Sequence, residues 1–203
     1  MQKTSGTTNR TGIRQQLRAR RNALSAEEQQ EAAKQACAHF VNLPFVTQAK
    51  TVALYLANDG ELNPALIVEH CWAAGKQVYL PVITPEKALR FAPYRPQSRL
   101  VNNKYGIAEP LCEADDYKAA ADIEVMLVPL VGFDSTGQRI GMGGGFYDRT
   151  LADWHHGAHP QLTPVGYAHN CQQVEQLPSA AWDVPLPYII TPAKVWRFRI
   201  SAV

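Results

Sequence analysis

The ten residues Arg139-Ile-Gly-Met-Gly-Gly-Gly-Phe-Tyr-Asp148 separate two segments of different character and decide how this chain is organised. The run before them, Val125-Met-Leu-Val-Pro-Leu-Val131, is almost continuously apolar, which is typical of a buried strand. From Tyr147 near their end, Leu151 and Trp154 follow at the spacing of one helical face. The sequence therefore predicts a strand, a glycine-rich loop and the N-terminus of a helix.

Such a loop has the properties of an anion site. Glycine permits positive φ and lets a ligand approach the backbone, and a helix N-terminus offers N–H groups and partial positive charge. Arg139 can add a fixed cation, and Asp148 can supply a hard oxygen ligand for a magnesium ion on a bound phosphate. The pattern is neither G-x-G-x-x-G nor G-x-x-x-x-G-K-[ST], so an alternative remains in which the glycines only form turns. The glycines that would cradle the phosphate are Gly141, Gly143, Gly144 and Gly145.

Composition bounds the class of protein. The chain has 203 residues, of which 46% are hydrophobic and 19% charged, so it can bury a substantial core. A net charge of +2 does not by itself imply a polyanionic partner. Residues 1–12 are polar and lack the apolar segment of a signal peptide, so we expect a disordered tail. No run is long and apolar enough for a membrane span.

The four cysteines are widely scattered, and none has the close spacing of a zinc site. We expect reduced thiols, as in a cytoplasmic protein. We also expect a monomer that binds neither nucleic acid nor membranes. His155, His156 and His159 have no acidic or cysteine partner at useful spacing, so we interpret them as part of an exposed polar loop.

The order of predicted elements indicates an α/β fold with three layers, α/β/α, around an open and mostly parallel sheet with short hairpins and edge strands. Residues 51–57 and 77–83 are predicted strands that flank a helix over 63–74, a β-α-β unit. Ser25-Ala-Glu-Glu28 is a capping box that begins another helix. The Asp134-Ser-Thr-Gly137 turn predicts a small hairpin before the glycines. Residues 13–203 show no clear linker and are predicted to form one domain.

Further candidates lie outside the glycine loop. Arg14 and Arg18 are four residues apart on a predicted basic helix, so they share a face and could hold one polyphosphate. Glu61 follows a strand at the edge of the sheet where ligands bind in open α/β folds. Tyr105 lies on a predicted loop over 101–110 and can stack on a flat ring. Ordinary surface or packing roles remain open for each of these residues.

The run Val128-Pro-Leu-Val-Gly-Phe-Asp134, followed by Gly137 and the ten residues quoted first, resembles the signature of the 5-formyltetrahydrofolate cyclo-ligase family. The likeness continues nearly throughout the chain from Arg14 onward. It includes Arg14-Gln-Gln-Leu-Arg18, Lys104-Tyr-Gly-Ile-Ala-Glu-Pro110, Leu177-Pro178 and Trp182-Asp-Val-Pro185.

The resemblance implies an ATP- and magnesium-dependent cyclisation of 5-formyltetrahydrofolate to 5,10-methenyltetrahydrofolate, with ADP and phosphate as products. It implies that ATP contacts Arg14, Arg18, Arg139, Gly141, Gly143, Gly144, Gly145 and Tyr147. It assigns folate contacts to Leu56, Glu61, Tyr105, Met142 and Phe146, and metal ligation to Asp148 and Asp183. It gives no catalytic nucleophile, and Arg139 is the candidate for neutralising phosphate charge.

The chain departs from the pattern at two positions, since some family members carry a lysine where this chain has Gly144, and Phe146 stands in place of a tyrosine. Two other classes of function stay open on the sequence alone. One is a non-catalytic protein that binds a nucleotide or a folate. The other is an RNA-binding module that uses the basic first helix, although that helix has no interleaved aromatic residues.

Overall fold

A seven-stranded, mostly parallel sheet forms the centre of the structure, a computed structural model that describes residues 10–103 and 106–200. The strands are β1 (Thr51–Ala53), β2 (Gln77–Ile83), β3 (Leu89–Pro93), β4 (Leu100–Asn102), β5 (Ala108–Pro110), β6 (Val125–Pro129), β7 (Gly132–Phe133), β8 (Arg139–Ile140), β9 (Thr163–Tyr167), β10 (Tyr188–Ile190) and β11 (Val195–Arg197). The order in the large sheet is β11-β10-β9-β6-β1-β2-β3, and only the two edge strands pair antiparallel.

The described residues form five α-helices: α1 (Arg10–Asn22), α2 (Ala26–Val41) and α3 (Pro44–Gln48) precede β1, α4 (Ala65–Ala73) connects β1 to β2, and α5 (Phe146–His155) connects β8 to β9. The capping box predicted for α2 is present, because Glu28 N donates to Ser25 Oγ at 3.1 Å and Ser25 N donates to the Glu28 carboxylate at 2.7 Å. No helix of the described ranges is long and apolar enough to cross a membrane.

Both faces of the sheet are covered, which follows from the alternation of side chains along its strands. In β6, Val125 and Leu127 pack into a core cluster with α2 and α4, which includes Phe40. Met126 and Val128 point to the other face and pack with Leu151 of α5. The predicted three-layer α/β/α class with a mostly parallel sheet is therefore confirmed.

The strand order places a topological switch point at the centre of the sheet. From β1 the chain passes to β2 on one side, whereas from β6 it passes to β9 on the other, and β1 and β6 are neighbours. The loops at the carboxyl ends of β1 and β6 therefore diverge and leave a crevice, which is where ligands bind in open α/β sheets.

Several boundaries differ from the sequence-based expectation. The first strand ends at Ala53 instead of residue 57, because the chain leaves the ladder after Leu54 N donates to Tyr79 O. The predicted loop over 101–110 contains the hairpin of β4 and β5. Two short 3-10 helices, Ala114–Asp116 and Ala120–Asp122, precede β6. Helix α1 begins at Arg10, so residues 10–12 are helical instead of part of the expected disordered tail, and an ion pair between Arg10 and Asp183 anchors the first turn.

Candidate active site

A cleft of about 720 Å³ opens at the switch point, where the carboxyl ends of β1 and β6 diverge. Pro129 and Leu130 at the end of β6 form its floor, and Glu61 enters from the loop after β1. The glycine loop, the first turns of α1 and α5, and residues 182–183 form the remaining walls. The cleft therefore collects residues that are far apart in sequence at one edge of the sheet.

The glycine loop joins β8 to α5 as predicted. Gly145 is the N-cap of α5 in the left-handed region, with φ of 66°, and no side chain caps this helix. Gly143 has φ of +104°, a conformation that other residues rarely adopt. The loop therefore presents backbone to the cleft beside the positive end of a helix dipole, which suits an anion.

Arg139 and Asp148 form an ion pair at the inner wall. Arg139 is 5% exposed, and its Nη2 donates to Asp148 Oδ1 at 2.8 Å. Burial lowers the pKa of Arg139, and the nearby carboxylates of Asp148 and Asp183 oppose this shift. The guanidinium stays charged, because arginine is not deprotonated in proteins. Its Nε is buried and has no hydrogen-bond partner in the described part of the chain. A cation with an unused donor therefore lines the cleft.

Two more arginines, Arg10 and Arg14, lie at the mouth of the cleft. Arg10 contacts both carboxylate oxygens of Asp183, at 3.0 and 3.1 Å. Arg14 donates from Nε to the carbonyl oxygen of Gly141 at 2.7 Å, so it braces the glycine loop. The structure thus brings Arg14, Arg139, the four loop glycines and both predicted metal ligands into one cleft.

Arg18 is the predicted ATP contact that the structure does not bring to the cleft. Its Nε donates at 2.6 Å to Oδ2 of Asp59, a residue of the loop after β1. Helix α1 lies across the cleft rim, so residues one turn apart reach different walls. The cation that accompanies Arg14 in the cleft is Arg10, one turn before it.

The predicted folate contacts divide in the same way. Glu61, Met142 and Phe146 line the cleft, whereas Leu56 packs against the hydrophobic core and is not among the lining residues. Tyr105 lies outside the described residues. Three of these five positions therefore line the same cleft.

Tyr147 and Glu61 lie close together in the inner part of the cleft. Burial raises the pKa of Tyr147, and the nearby Glu61 raises it further, so the phenol stays protonated. Burial also raises the pKa of Glu61, which a hydrogen bond from the backbone of Asn58 lowers in part. A protonated phenol and a carboxylate can together read a ring with both donors and acceptors.

Seven lining residues were not predicted as site residues from the sequence: Arg10, Ile107, Pro129, Leu130, Arg149, Ala152 and Trp182. Arg10 has a detectable signal, because it lies four residues before Arg14 and continues the basic face. Arg149 reaches back to Gly144 O at 2.6 Å, a contact that the turn geometry of the glycine loop creates. Trp182 is 74% exposed and has no periodic pattern around it, so only the fold places it at the mouth.

Asp148 and Asp183 both line the cleft, where a bound phosphate could complete the coordination of a magnesium ion. Val184 N donates to Asp148 Oδ1 at 3.2 Å, which ties Asp148 to the residue after Asp183. No group of three acidic, histidine or cysteine side chains in the described ranges could hold a metal by itself. Magnesium usually takes one or two carboxylates together with waters and substrate phosphates, so the pair fits a phosphate-bound ion.

Gly144 is packed in a way that bears on its departure from the family pattern. A Cβ at this position would lie 2.5 Å from Cε2 of Phe146. A side chain there would require the ring of Phe146 to move, and that ring lines the cleft. The glycine at 144 and the present position of Phe146 are therefore coupled features of this chain.

His169 lies beneath the loop that carries Glu61 and gives the fold a pH dependence. Burial lowers its pKa from 6.5 to about 4, although a hydrogen bond with the backbone of Gly60 opposes the shift. In the unfolded chain His169 takes up a proton below about pH 6.5, whereas in the folded chain it does so only near pH 4. The neutral imidazole therefore contributes stability above pH 6.5 that is lost as the pH falls towards 4.

Between pH 7 and pH 5, we expect the lowered pKa of His169 to reduce the unfolding free energy by about 2 kcal/mol. Urea denaturation of the wild type and of His169→Gln across this range measures it, and the variant should show the weaker pH dependence. Parallel curves for the two proteins would contradict the assignment.

Comparisons with known proteins agree in both sequence and fold. Residues 6–192 match the 5-formyltetrahydrofolate cyclo-ligase family. The chain is 50% identical over 184 residues to a 5-formyltetrahydrofolate cyclo-ligase of Escherichia coli strain K12, covering 90% of this chain and 100% of that one. It is 41% identical to a protein of the same name from Haemophilus influenzae, covering 89% of this chain and 96% of the relative.

Two solved structures share the architecture. A 5,10-methenyltetrahydrofolate synthetase from Aquifex aeolicus has a TM-score of 0.79 and 27% identity, over 96% of this chain and 95% of that one. One from Mycoplasma pneumoniae has a TM-score of 0.72 over 91% of this chain and 99% of that one. At 24% identity, the second likeness shows the fold alone.

Proposed function

The chain belongs to the 5-formyltetrahydrofolate cyclo-ligase family and is an enzyme, and we propose that it converts 5-formyltetrahydrofolate to 5,10-methenyltetrahydrofolate with ATP and magnesium, releasing ADP and phosphate. The observation that carries the proposal is the composition of one cleft. Arginines, an uncapped helix N-terminus, two aspartates and Glu61 all line it. Such a cleft offers groups for a polyphosphate and groups for a ring that hydrogen-bonds.

The chemistry needs little covalent help from the protein. The formyl oxygen attacks the γ-phosphorus of ATP, and the bond from that phosphorus to ADP breaks. N10 of the folate then forms a bond to the activated carbon and loses its proton, while the C–O bond breaks and releases phosphate. The amide-like oxygen is thereby removed as phosphate, which is a far better leaving group than hydroxide.

The residues of the cleft would act mainly by positioning and by neutralising charge, as in other phosphoryl transfers. Arg14 and Arg139 would contact phosphate oxygens, and the N-terminus of α5 would face them. A magnesium ion held by Asp148 and Asp183 would supply further neutralisation of phosphate charge.

At the inner end, Glu61 and Tyr147 would orient the pterin. A carboxylate can accept from the amino group and a ring N–H of the pterin, and a protonated phenol can donate. Phe146 and Met142 supply apolar surface beside these groups. Fixing the pterin in this way would hold the formyl oxygen near the phosphate wall.

The proposal is tested by following 5-formyltetrahydrofolate spectrophotometrically with the full-length protein. We expect the absorbance of the methenyl product to rise only when ATP and magnesium are both present, with one ADP formed per product. Binding of both compounds without turnover would instead indicate a non-catalytic protein.

Arg14→Ala tests the phosphate wall. The substitution removes a charge-assisted contact that we expect to contribute about 1.5–3 kcal/mol, so the KM for ATP should rise at least about tenfold. Arg20→Ala is the matched control, since Arg20 is exposed on the same helix. An unchanged KM for ATP in the Arg14 variant would count against its contact with phosphate.

Glu61→Gln tests the proposed contact with the pterin. The change keeps size but removes the anion, so the Kd for 5-formyltetrahydrofolate should rise about tenfold or more while nucleotide binding stays the same. Calorimetric titration with each compound separately measures both constants. Weakened nucleotide binding with normal folate binding would mean that the two surfaces have been assigned in reverse.

A further inference from the structure

The second half of helix α1 is fastened to the loop that carries Glu61. Three of its side chains converge on the carboxylate of Asp59. Arg18 Nε donates to Oδ2 at 2.6 Å, Arg21 Nη2 donates to the same oxygen at 2.8 Å, and Asn22 Nδ2 donates to Oδ1 at 3.1 Å. These bonds hold the pKa of Asp59 well below its ordinary value, the bond from Arg18 being the largest cause.

Arg21 connects the Asp59 loop to the wall of the cleft. It is 0% exposed, and its Nε also donates to the backbone oxygen of Asp59 at 2.7 Å. Its Nη1 donates to Leu130 O at 3.3 Å, and Leu130 lines the cleft. One buried guanidinium therefore fixes Asp59, by both side chain and backbone, relative to the end of β6.

Asp59 in turn belongs to the turn that ends at Glu61. Its own φ is 50°, in the left-handed region that costs free energy for a residue other than glycine. Glu61 N donates to Asn58 O at 3.0 Å, and Asn58 N donates to Glu61 Oε2 at 3.1 Å, so the turn is closed by the carboxylate that faces the cleft. The next residue, Gly60, has no room for a Cβ because the side chain of Asn22 occupies that space.

We propose that Asp59 is a positioning residue for Glu61, and that Arg18, Arg21 and Asn22 of α1 hold it in place. The inference rests on the proposed function, in which Glu61 reads the pterin. It changes the role of Arg18 from a contact of ATP to a support of the folate surface. The same helix thus serves both surfaces, with Arg14 at the glycine loop and Arg18 at the Glu61 turn.

The two roles for Arg18 predict opposite effects of Arg18→Ala. If Arg18 supports the turn, the Kd for 5-formyltetrahydrofolate rises on the order of tenfold, because a strained turn loses one of its charge-assisted bonds. The Kd for ATP then stays within about twofold of the wild type. If Arg18 contacts ATP, the second constant rises and the first does not.

The experiment is calorimetry on the full-length protein with 5-formyltetrahydrofolate and with ATP–magnesium, each added separately. Arg20→Ala removes the same charge from an exposed position of the same helix and should leave both constants unchanged. Arg18→Lys keeps a cation at the position and should recover part of the folate affinity. Asp59→Asn, which retains a residue that tolerates the left-handed region, should weaken folate binding more than Arg18→Ala does.

The outcomes separate the inference from the function on which it rests. If the wild type binds 5-formyltetrahydrofolate and both Arg18→Ala and Asp59→Asn bind it equally well, the positioning role is wrong and the proposed function stands. A rise in the Kd for ATP alone would also overturn it. A wild-type protein that does not bind 5-formyltetrahydrofolate at all would refute the proposed function, and the inference with it.

Discussion

We expect Asp148→Asn to lower turnover by about a hundredfold or more and to raise the magnesium concentration needed for half-maximal rate. The carboxylate lies in the first turn of α5, beside the glycine loop and close to Asp183. Asparagine has the same size and can still accept a hydrogen bond from Val184 N, but it is a weaker ligand for a hard cation. The loss of turnover should therefore arise mainly from weaker binding of magnesium.

The ion pair with Arg139 complicates a simple measurement of stability. Arg139 is 5% exposed, so Asp148→Asn leaves a buried guanidinium without its counter-charge. Breaking a buried pair from one side costs about 3–5 kcal/mol, and the melting temperature should fall even if Asp148 never binds a metal. A lower melting temperature alone thus says nothing about the metal role.

A magnesium titration of turnover, made well below the melting temperature of the variant and at saturating ATP, separates the two roles. A metal ligand predicts a midpoint shifted to higher magnesium as well as a lower maximal rate. A midpoint equal to that of the wild type, with normal turnover, would remove Asp148 from the metal site and leave it as the partner of Arg139.

Arg139→Gln should have an effect of similar size but a different signature. The variant breaks the same ion pair and keeps Asp148, so its cost in stability is comparable. Turnover should fall by about a hundredfold because a preorganised, largely desolvated cation no longer faces the phosphate. The magnesium midpoint should stay near the wild-type value.

Arg149→Gln is the matched control for this prediction. Arg149 also lines the cleft, but it is exposed and its guanidinium donates to the backbone oxygens of Lys87 and Gly144. We expect a smaller loss, since exposed charges are screened by water. Equal losses in the Arg139 and Arg149 variants would mean that burial of Arg139 gives it no special role in charge neutralisation.

The elements that the sequence predicted well are those with a local cause. The glycine loop follows from an apolar run, a cluster of glycines and a helical spacing within about thirty residues, and the structure has all three. The capping box at Ser25 and the turn at Asp134 are equally local, because each is specified by a few adjacent side chains. Resemblance to the family added Asp183, whose place beside Asp148 no spacing rule could give.

The features that the sequence did not predict depend on contacts between distant segments. Arg14 and Arg18 have the same spacing and chemistry, yet one reaches Gly141 and the other reaches Asp59, because α1 passes across two walls of the cleft. Arg21 has no sequence signal for burial, yet its three bonds to Asp59 and Leu130 allow it to be fully buried. Helical periodicity identifies a shared face but not the partner that the face meets.

The path of the formyl oxygen tests the central claim most directly. In the proposed reaction this oxygen attacks the γ-phosphorus and leaves the folate as part of phosphate. We therefore predict that 5-formyltetrahydrofolate labelled with heavy oxygen in the formyl group, incubated with the protein, ATP and magnesium, yields one labelled oxygen in each phosphate released. Mass spectrometry of the phosphate measures this. Methenyl product accompanied by unlabelled phosphate, with the label found in water, would contradict the account, because ATP would then not activate the oxygen that is lost.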